Sequence, residues 1–383
     1  MNDTDIEKHP VHFHGHEGQY FRIWIVNVLL SIVTFGLYTP WARRRTAQYF
    51  YQSTEMAEGS FDFTAPIRRM VVGFLLFAGL YFAWNLASKS DSGQTRLLGN
   101  LVMLAVLIAV PWLWASAMRF RLGHTRWRGL RLRFAPGMGE VYAASWPLLA
   151  LPVLWFAAAM SLTTIRTYGV AGMSGLVLAA LVLMLLCLAL LQYNYARLLF
   201  LRTHVGAQAG HWKVERGLYL RIALQAAALG VVLIAVILGC AWLVTRSGSL
   251  PLPRRSVLGV FGLALAAAVW LLAIVPALAW REARTFQLLW NHTGVARIAR
   301  FRCDLRTGAF IALRLRTTLL TYLTLGLYRP FARVKIYRMK CESVTLYLRG
   351  NVDTLTGTLA RQQEEGGFSD ALADGLGLAV VGA

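Results

Sequence analysis

Histidines offer the first candidate chemistry. His12, His14 and His16 alternate, so an extended strand would set all three imidazoles on one face, with His9 nearby. Imidazole is a common metal ligand. No cysteine or second cluster completes a site, and a solvated strand explains the same alternation. Towards the other end, Asp370 and Asp374 lie four apart, as a pair of carboxylates doing acid–base work on one helix would. Phe368, Leu372 and Leu376 form a second stripe there, so a docked amphipathic tail accounts for the spacing as well. Cys187, Cys240, Cys303 and Cys341 include no CxxC pair and read as free thiols. No P-loop, GxSxG, HExxH or GxGxxG with a strand–helix context occurs. The expectation is therefore no catalytic residue, no cofactor and no metal.

Arginine carries the remaining signal. Lys plus Arg number 39 against 18 acidic residues, a net charge of +21, and only five of the 39 are lysine. Such a balance suits nucleic acid or anionic lipid headgroups. Placement separates the two: the arginines cluster at the ends of apolar blocks, which points to anionic phospholipids and away from nucleic acid. Arg43, Arg44 and Arg45, with Arg333 and Lys335, stand where headgroups would lie. A basic side chain there contributes ~1 kcal/mol of attraction. Ordinary topology anchoring explains the same residues.

The elements that would position these groups are membrane helices. Apolar residues make up 57% of the chain and charged ones 15%, against about 45–50% and 25% in soluble domains. Six charge-free blocks are long enough to cross: Met70–Ala87, Leu97–Met118, Val141–Leu162, Val170–Tyr195, Ile222–Thr245 and Val257–Trp280. Their lack of ionisable groups argues against a proton-coupled pump. Asn27, Asn85, Gln192, Asn194 and Gln225 are the polar side chains near the membrane, suited to bonding between helices. The first ten residues show no basic-then-apolar leader pattern, so insertion is expected to rest on the membrane segments themselves.

Two shorter blocks resemble each other. Gly18–Arg43 aligns with Gly308–Arg333 without a gap, with 10 of 26 positions identical. The shared core is Thr34-Phe35-Gly36-Leu37-Tyr38-Thr39-Pro40-Trp41-Ala42-Arg43 against Thr324-Leu325-Gly326-Leu327-Tyr328-Arg329-Pro330-Phe331-Ala332-Arg333. Thr317–Tyr328 is charge-free for only 12 residues, about 18 Å of helix, too short to cross. It is expected to be re-entrant or interfacial. Ile23–Ala42, with 20 charge-free residues, is long enough to cross, although its likeness to the second block favours re-entry. Segments 40–69, 119–141, 192–217 and 281–308 hold 21 basic residues, and segments 88–96, 163–169 and 245–256 hold six. The first set, together with a tail at 334–383, is expected to be cytoplasmic.

Short strand-like stretches follow the cytoplasmic returns: Gly59–Phe63, Arg126–Phe134, Gly210–Val214 and Ala296–Arg302. In the second, Arg131 and Arg133 alternate with Leu130, Leu132 and Phe134. Val11–Phe13 and Asn351–Leu355 are candidate further strands. These pieces are expected to form a small cytoplasmic β layer, with independent loop ribbons as the alternative.

The segment Gly18–Asn27 leading to Thr34–Ala42 resembles the YjgN-like family of bacterial inner-membrane proteins, as do Thr125–Gly129 and the tail Gly367–Asp374. The likeness runs in order through nearly the whole chain. It implies an inner-membrane location and a multi-pass fold, and it supplies no catalytic residues. Gly367-Phe368-Ser369-Asp370 departs from that family's usual tail. The expected class is an all-α polytopic membrane protein. It would be a single integral domain over 1–383 with six spanning helices, two related shorter segments and short β-strands in its cytoplasmic loops. Handling or passage of a lipid or small amphiphile is the leading functional expectation. A non-catalytic module that organises protein partners through basic cytoplasmic loops is the alternative, and a membrane enzyme comes third.

Overall fold

The computed structural model describes residues 6–90, 92–163, 165–206, 208–246, 262, 265–267, 269–295, 298–350, 352 and 357. Helices and short strands alternate along the chain. Strands β1 (Ile6–Pro10) and β2 (His12–Phe13) precede a helical pair, α1 (Glu17–Val33) and α2 (Thr39–Gln52). The hairpin β3 (Thr54–Met56) and β4 (Gly59–Phe63) leads to α3 (Ile67–Ser88) and α4 (Gly93–Gly123). Then come β5 (Thr125–Trp127), β6 (Leu130–Phe134), α5 (Met138–Ala144), α6 (Trp146–Thr163) and α7 (Ile165–Leu201). The hairpin β7 (Thr203–Val205) and β8 (Gln208–Trp212) is followed by α8 (Arg216–Arg246) and α9 (Val275–Asn291). Last are β9 (Thr293–Val295), β10 (Ala299–Cys303), α10 (Thr307–Leu323), α11 (Arg329–Glu342) and β11 (Val344–Arg349).

All the strands join one antiparallel sheet in the order β1-β11-β10-β9-β8-β7-β6-β5-β4-β3-β2. Its two ends, β1 and β2, are consecutive pieces of one segment, parted only by Val11, whose N–H donates to the Val344 carbonyl at 3.0 Å. The sheet therefore closes on itself as a barrel-like ring. The all-α class is overturned by this finding. Three- and five-residue strands in basic loops carry little periodic signal, and a lone two-stranded hairpin is marginal in water. Ring closure pairs every hairpin on both sides, which removes the exposed edges.

The ring repeats with one register. Each hairpin's last residue lies opposite the first residue of the next: Phe63 opposite Thr125, Phe134 opposite Thr203, and Trp212 opposite Thr293. Phe13 opposite Thr54 and Cys303 opposite Val344 complete the set. The four threonines also end the preceding helices, each hydroxyl donating to the carbonyl four residues back. The fifth hairpin is split, with β11 as its first strand and the N-terminal segment as its second. Apolar side chains point inwards: Leu130 is 1% and Leu346 2% exposed. Arg131, Arg133, Arg300 and Arg302 take the alternate, outward positions. Most of the strand-like stretches read from the sequence enter this sheet, as do β1, β3, β7, β9 and β11, which carry no such signal there. Asn351–Leu355 lies outside the described residues apart from Val352, as do Asp370, Asp374 and the Gly367–Asp374 segment.

Each helical pair joins one ring strand to the next, and α1 packs on α11, α2 on α3, α4 on α5, α7 on α8 and α9 on α10. Among the described residues, six helical stretches are long and apolar enough to cross a membrane: Ile67–Ser88, Gly93–Gly123, Met138–Ala157, Ala179–Leu201, Arg216–Cys240 and Leu265–Asn291. They coincide with the six apolar blocks, although part of Val257–Trp280 lies outside the described residues. Since one ring holds every hairpin, any helix that leaves its side of a membrane must be matched by one that returns. The pairs α1–α2 and α10–α11 obey this by turning back after helices of 17 residues.

The two turning points are twins. Gly36 N–H donates to Ser31 at 2.7 Å and Phe35 N–H to Ile32 at 3.1 Å; Gly326 to Thr321 and Leu325 to Tyr322 repeat these distances. This is a Schellman closure, in which glycine usually occupies the first left-handed position. Phe35 and Leu325 occupy it instead, each at φ 50°. A bulky side chain there costs about 1–2 kcal/mol. Both are almost wholly exposed, at 97% and 95%, at the tips of their hairpins.

Two outcomes follow. Single cysteines placed at Ser60, His211 and Arg302, on the ring's outer face, should all react with a membrane-impermeant maleimide from the same side. Reaction from opposite sides would break the ring. Replacing Phe35 with Gly should raise the thermal midpoint in detergent, relieving about 1 kcal/mol of backbone strain. A lowered midpoint would show that the ring packs in the native fold.

Candidate interfacial groove

The first helical hairpin leaves a groove of about 650 Å³ against α11 and the end of α4. Along α1 it is lined by Tyr20, Trp24, Asn27, Val28, Ser31 and Ile32, running from the ring towards the exposed tip. Along α2 come Thr39, Ala42, Arg43, Thr46, Ala47, Phe50 and Tyr51. Arg333 and Tyr337 enter from α11, and Arg121 from α4. Three guanidiniums thus line one groove, and no carboxylate is among the described residues of its lining.

Ring contacts set the arginines in place. Arg333 donates to the Tyr20 hydroxyl at 3.2 Å, and its guanidinium stands 5.2 Å from the centre of the Phe50 ring. Cation–π contact holds an arginine without neutralising it. Arg121 donates to the Tyr51 hydroxyl at 3.2 Å. Arg43 is exposed and has no hydrogen bond or ion pair among the described residues. At the floor, Tyr337 and Thr54 share a hydroxyl bond of 3.0 Å, and burial pushes the Tyr337 phenol above its ordinary range. Burial likewise raises the neighbouring Cys341 thiol to about 11, so both stay protonated at neutral pH.

Asn27 is buried at 6% exposure, its amide N–H₂ reaching the Ala42 carbonyl at a long 3.5 Å. Its amide oxygen has no partner among the described residues. A buried acceptor left unpaired costs about 1–3 kcal/mol.

The related hairpin α10–α11 answers the same positions differently. Counting back from the paired strand starts Thr293 and Val344, Glu282 on α9 matches Arg333 on α11. Glu282 binds Arg314 and Lys340 in one ion cluster. The first hairpin has Trp24 and Phe50 where Arg314 and Lys340 stand. Thr317, the counterpart of Asn27, is satisfied by the Leu313 carbonyl at 2.8 Å. Another hollow, of about 500 Å³ beside α5, α7 and α8, is lined by Arg197, Arg202 and Arg216 but contains Glu140, which takes Arg202.

The sequence-named cations therefore divide. Arg43 and Arg333 line the groove. Arg45 and Lys335 are twins that brace the tips, donating to Tyr38 at 3.2 Å and Tyr328 at 2.9 Å. The Tyr328 bond, then Glu17 at 3.6 Å, holds the Lys335 ammonium above its ordinary range. Arg44 Nε is buried without a partner. Arg121, Tyr20 and Tyr51 carried no signal in the sequence, because they come together only through packing. His12, His14 and His16 do share one exposed, alternating face, with the His12 and His14 rings stacked at 6.3 Å, but they bond separately. His14 bonds Glu55 at 2.6 Å, His16 precedes α1, and His9 bonds Glu7 at 3.2 Å. Among the described residues no three His, Cys, Asp or Glu side chains gather as a metal site.

Inside the ring lies a second, almost wholly apolar cavity of about 330 Å³. Met56, Trp127, Leu132, Phe301, Leu346 and Leu348 are among its walls, and Leu122, Leu199, Phe200 and Trp290 reach it from helix ends. Its lining suits hydrocarbon and offers nothing to a charged group.

Inner membrane protein YjgN of Escherichia coli O157:H7 is 30% identical over 154 residues, 40% of this chain and 37% of that protein. The K12 strain's YjgN matches to the same extent. YjgN of Salmonella typhimurium LT2 is 26% identical over 189 residues, 49% of this chain and 46% of that protein. The chain thus matches less than half the length of each of these relatives. No solved structure matches. The model of the family described as bacterial protein of unknown function (DUF898) matches residues 8–375, and the chain belongs to that family.

Proposed function

We propose that this chain is a multi-pass inner-membrane protein that handles or passes a lipid or small amphiphile, seated in the groove beside α1 and α2. The carrying observation is the groove's polarity. Val28 and Ile32 lie on its tip side with only the uncharged hydroxyls of Ser31 and Thr39 beside them, while Arg43, Arg121 and Arg333 supply positive charge that no carboxylate among the described lining residues neutralises. An amphiphile with an apolar tail and an anionic head fits that division. The exposed tips Phe35 and Leu325 favour both short hairpins dipping into the bilayer, since water would not favour such side chains in a strained turn. The basic loops that make the ring favour its lying in the cytoplasm, with the C-terminus on the same side. The relatives' name, inner membrane protein, accords with this location.

One observation favours the alternative of a module that organises partners. Lys8, Tyr347 and Arg300 share one row across the ring's outer face, with Arg131, Arg133 and Arg302 also outward. That face would suit an acidic protein surface.

Native mass spectrometry of protein extracted in mild detergent separates the two readings. A lipid retained in fixed ratio is expected, and Val28→Asp, which sets a charge on the groove's tip side, should abolish its retention. Bare protein, or only exchangeable bulk lipid, would sink the amphiphile reading and leave the partner-organising one.

A further inference from the structure

We infer that the groove selects an amphiphile whose head carries both a phosphate-type anion and a hydroxyl donor, as a glycerol-phosphate headgroup does. This rests on the amphiphile reading and goes beyond it to ligand chemistry.

Two independent observations meet here. The first is a charge reversal between equivalent places in the ring. At the second hairpin Glu282 pairs with both Arg314 and Lys340, so each of those two cations has an acid partner within the fold. At the first hairpin the acid's position is held by Arg333, and the two cation positions are held by Trp24 and Phe50. The rings of Tyr20 and Phe50 hold the guanidinium in place and leave its charge for a ligand. Arg43 and Arg121 add two more cations to the same lining. Arginine's planar donor fork matches phosphate oxygens in pairs.

The second observation is Asn27. It lines the groove, is more than nine-tenths buried, and has an amide oxygen without a partner. Its amide also bonds the carbonyl of Ala42, the residue before Arg43. An acceptor is thus set at the level of a cation. A ligand O–H satisfies that acceptor, and a second phosphate oxygen would be repelled by it. Nearby hydroxyls of Ser31 and Thr46 can donate or accept, and that of Thr39, which donates to the Gly36 carbonyl, can accept, so they tolerate a polyol without excluding other heads. A zwitterionic ethanolamine head would instead set its ammonium among three guanidiniums.

The test is lipid competition read by native mass spectrometry. The full-length protein is delipidated, then offered equal amounts of phosphatidylglycerol, phosphatidic acid and phosphatidylethanolamine. Phosphatidylglycerol should be retained about tenfold over phosphatidylethanolamine and several-fold over phosphatidic acid, whose head lacks the glycerol hydroxyls. Arg43→Gln, at an exposed position that the fold does not need, should remove most of the preference over phosphatidylethanolamine. Asn27→Leu should erase the preference over phosphatidic acid while leaving the protein as stable or more so, since it removes an unpaired polar group. Arg302→Gln, on the ring's outer face, should change neither ratio. Equal retention of all three lipids by the wild-type protein overturns this inference and leaves the amphiphile reading standing. No retained lipid overturns both. Soluble glycerol 3-phosphate, offered alone, should bind far more weakly than the lipid; equal binding would assign the same head chemistry to a free metabolite and overturn the lipid source.

Discussion

Closure of the sheet through the N-terminal segment is the constraint on which the rest of the molecule depends. A strand edge left open exposes unpaired N–H and C=O groups and invites other chains to pair with it. Here every hairpin is only three plus five residues long where it is complete, too little to hold itself together. The five pieces become a stable layer only as a ring. The last position is filled by joining β11 to residues 6–13, so the chain's two ends complete one hairpin between them. Residues more than 330 apart thereby become neighbours, as His9 and Leu346 show.

Closure also decides what the helices can do. Strands that share a ring share a side of the membrane, so each helical excursion must go out and come back. Three excursions have the length and apolarity for two crossings each. The other two meet the same demand by turning at a Schellman closure whose left-handed position carries Phe35 or Leu325. Apolar side chains kept in a strained backbone and left exposed make sense where the surroundings are lipid. The twin hydrogen bonds and shared φ values explain why the sequence kept Thr-x-Gly-Leu-Tyr-x-Pro in both places. Threonine ends the helix, glycine completes the turn, tyrosine accepts from a cation seven residues further on, and proline starts the next helix.

The helices were legible because a membrane span needs about 20 apolar residues in a row, a signal little disturbed by tertiary context. The alternation of Leu130, Leu132 and Phe134 with Arg131 and Arg133 likewise announced a half-buried strand. The extent of the sheet was not legible. Its shortest strands, such as Thr203–Val205, hold too few residues to establish a period, and their register is imposed by neighbours distant in sequence. The same limit applied to the groove. Arg43 and Arg333 stood out by clustering at apolar ends, whereas Arg121 belongs to a different loop, and nothing local ties it to Tyr51. Asn27 was visible as a polar residue in an apolar stretch, but its unpaired oxygen is a property of packing alone.

A ring of five related units has no physical reason to differ from place to place unless something other than stability acts on it. Glu282 with Arg314 and Lys340 shows that this scaffold can give interface cations an acid partner from within. Thr317 shows that it can satisfy a buried polar group from the local backbone. The first hairpin does neither, and it fails in both respects within one groove. Burying an unpaired amide oxygen and gathering three guanidiniums both cost stability. Apolar or acidic substitutes occupy equivalent positions elsewhere in the ring, so the fold itself does not require either feature. Departures of this kind from local consistency concentrate at functional sites. The broken symmetry, rather than the groove's size, is therefore what distinguishes this surface from the other interfaces of the ring.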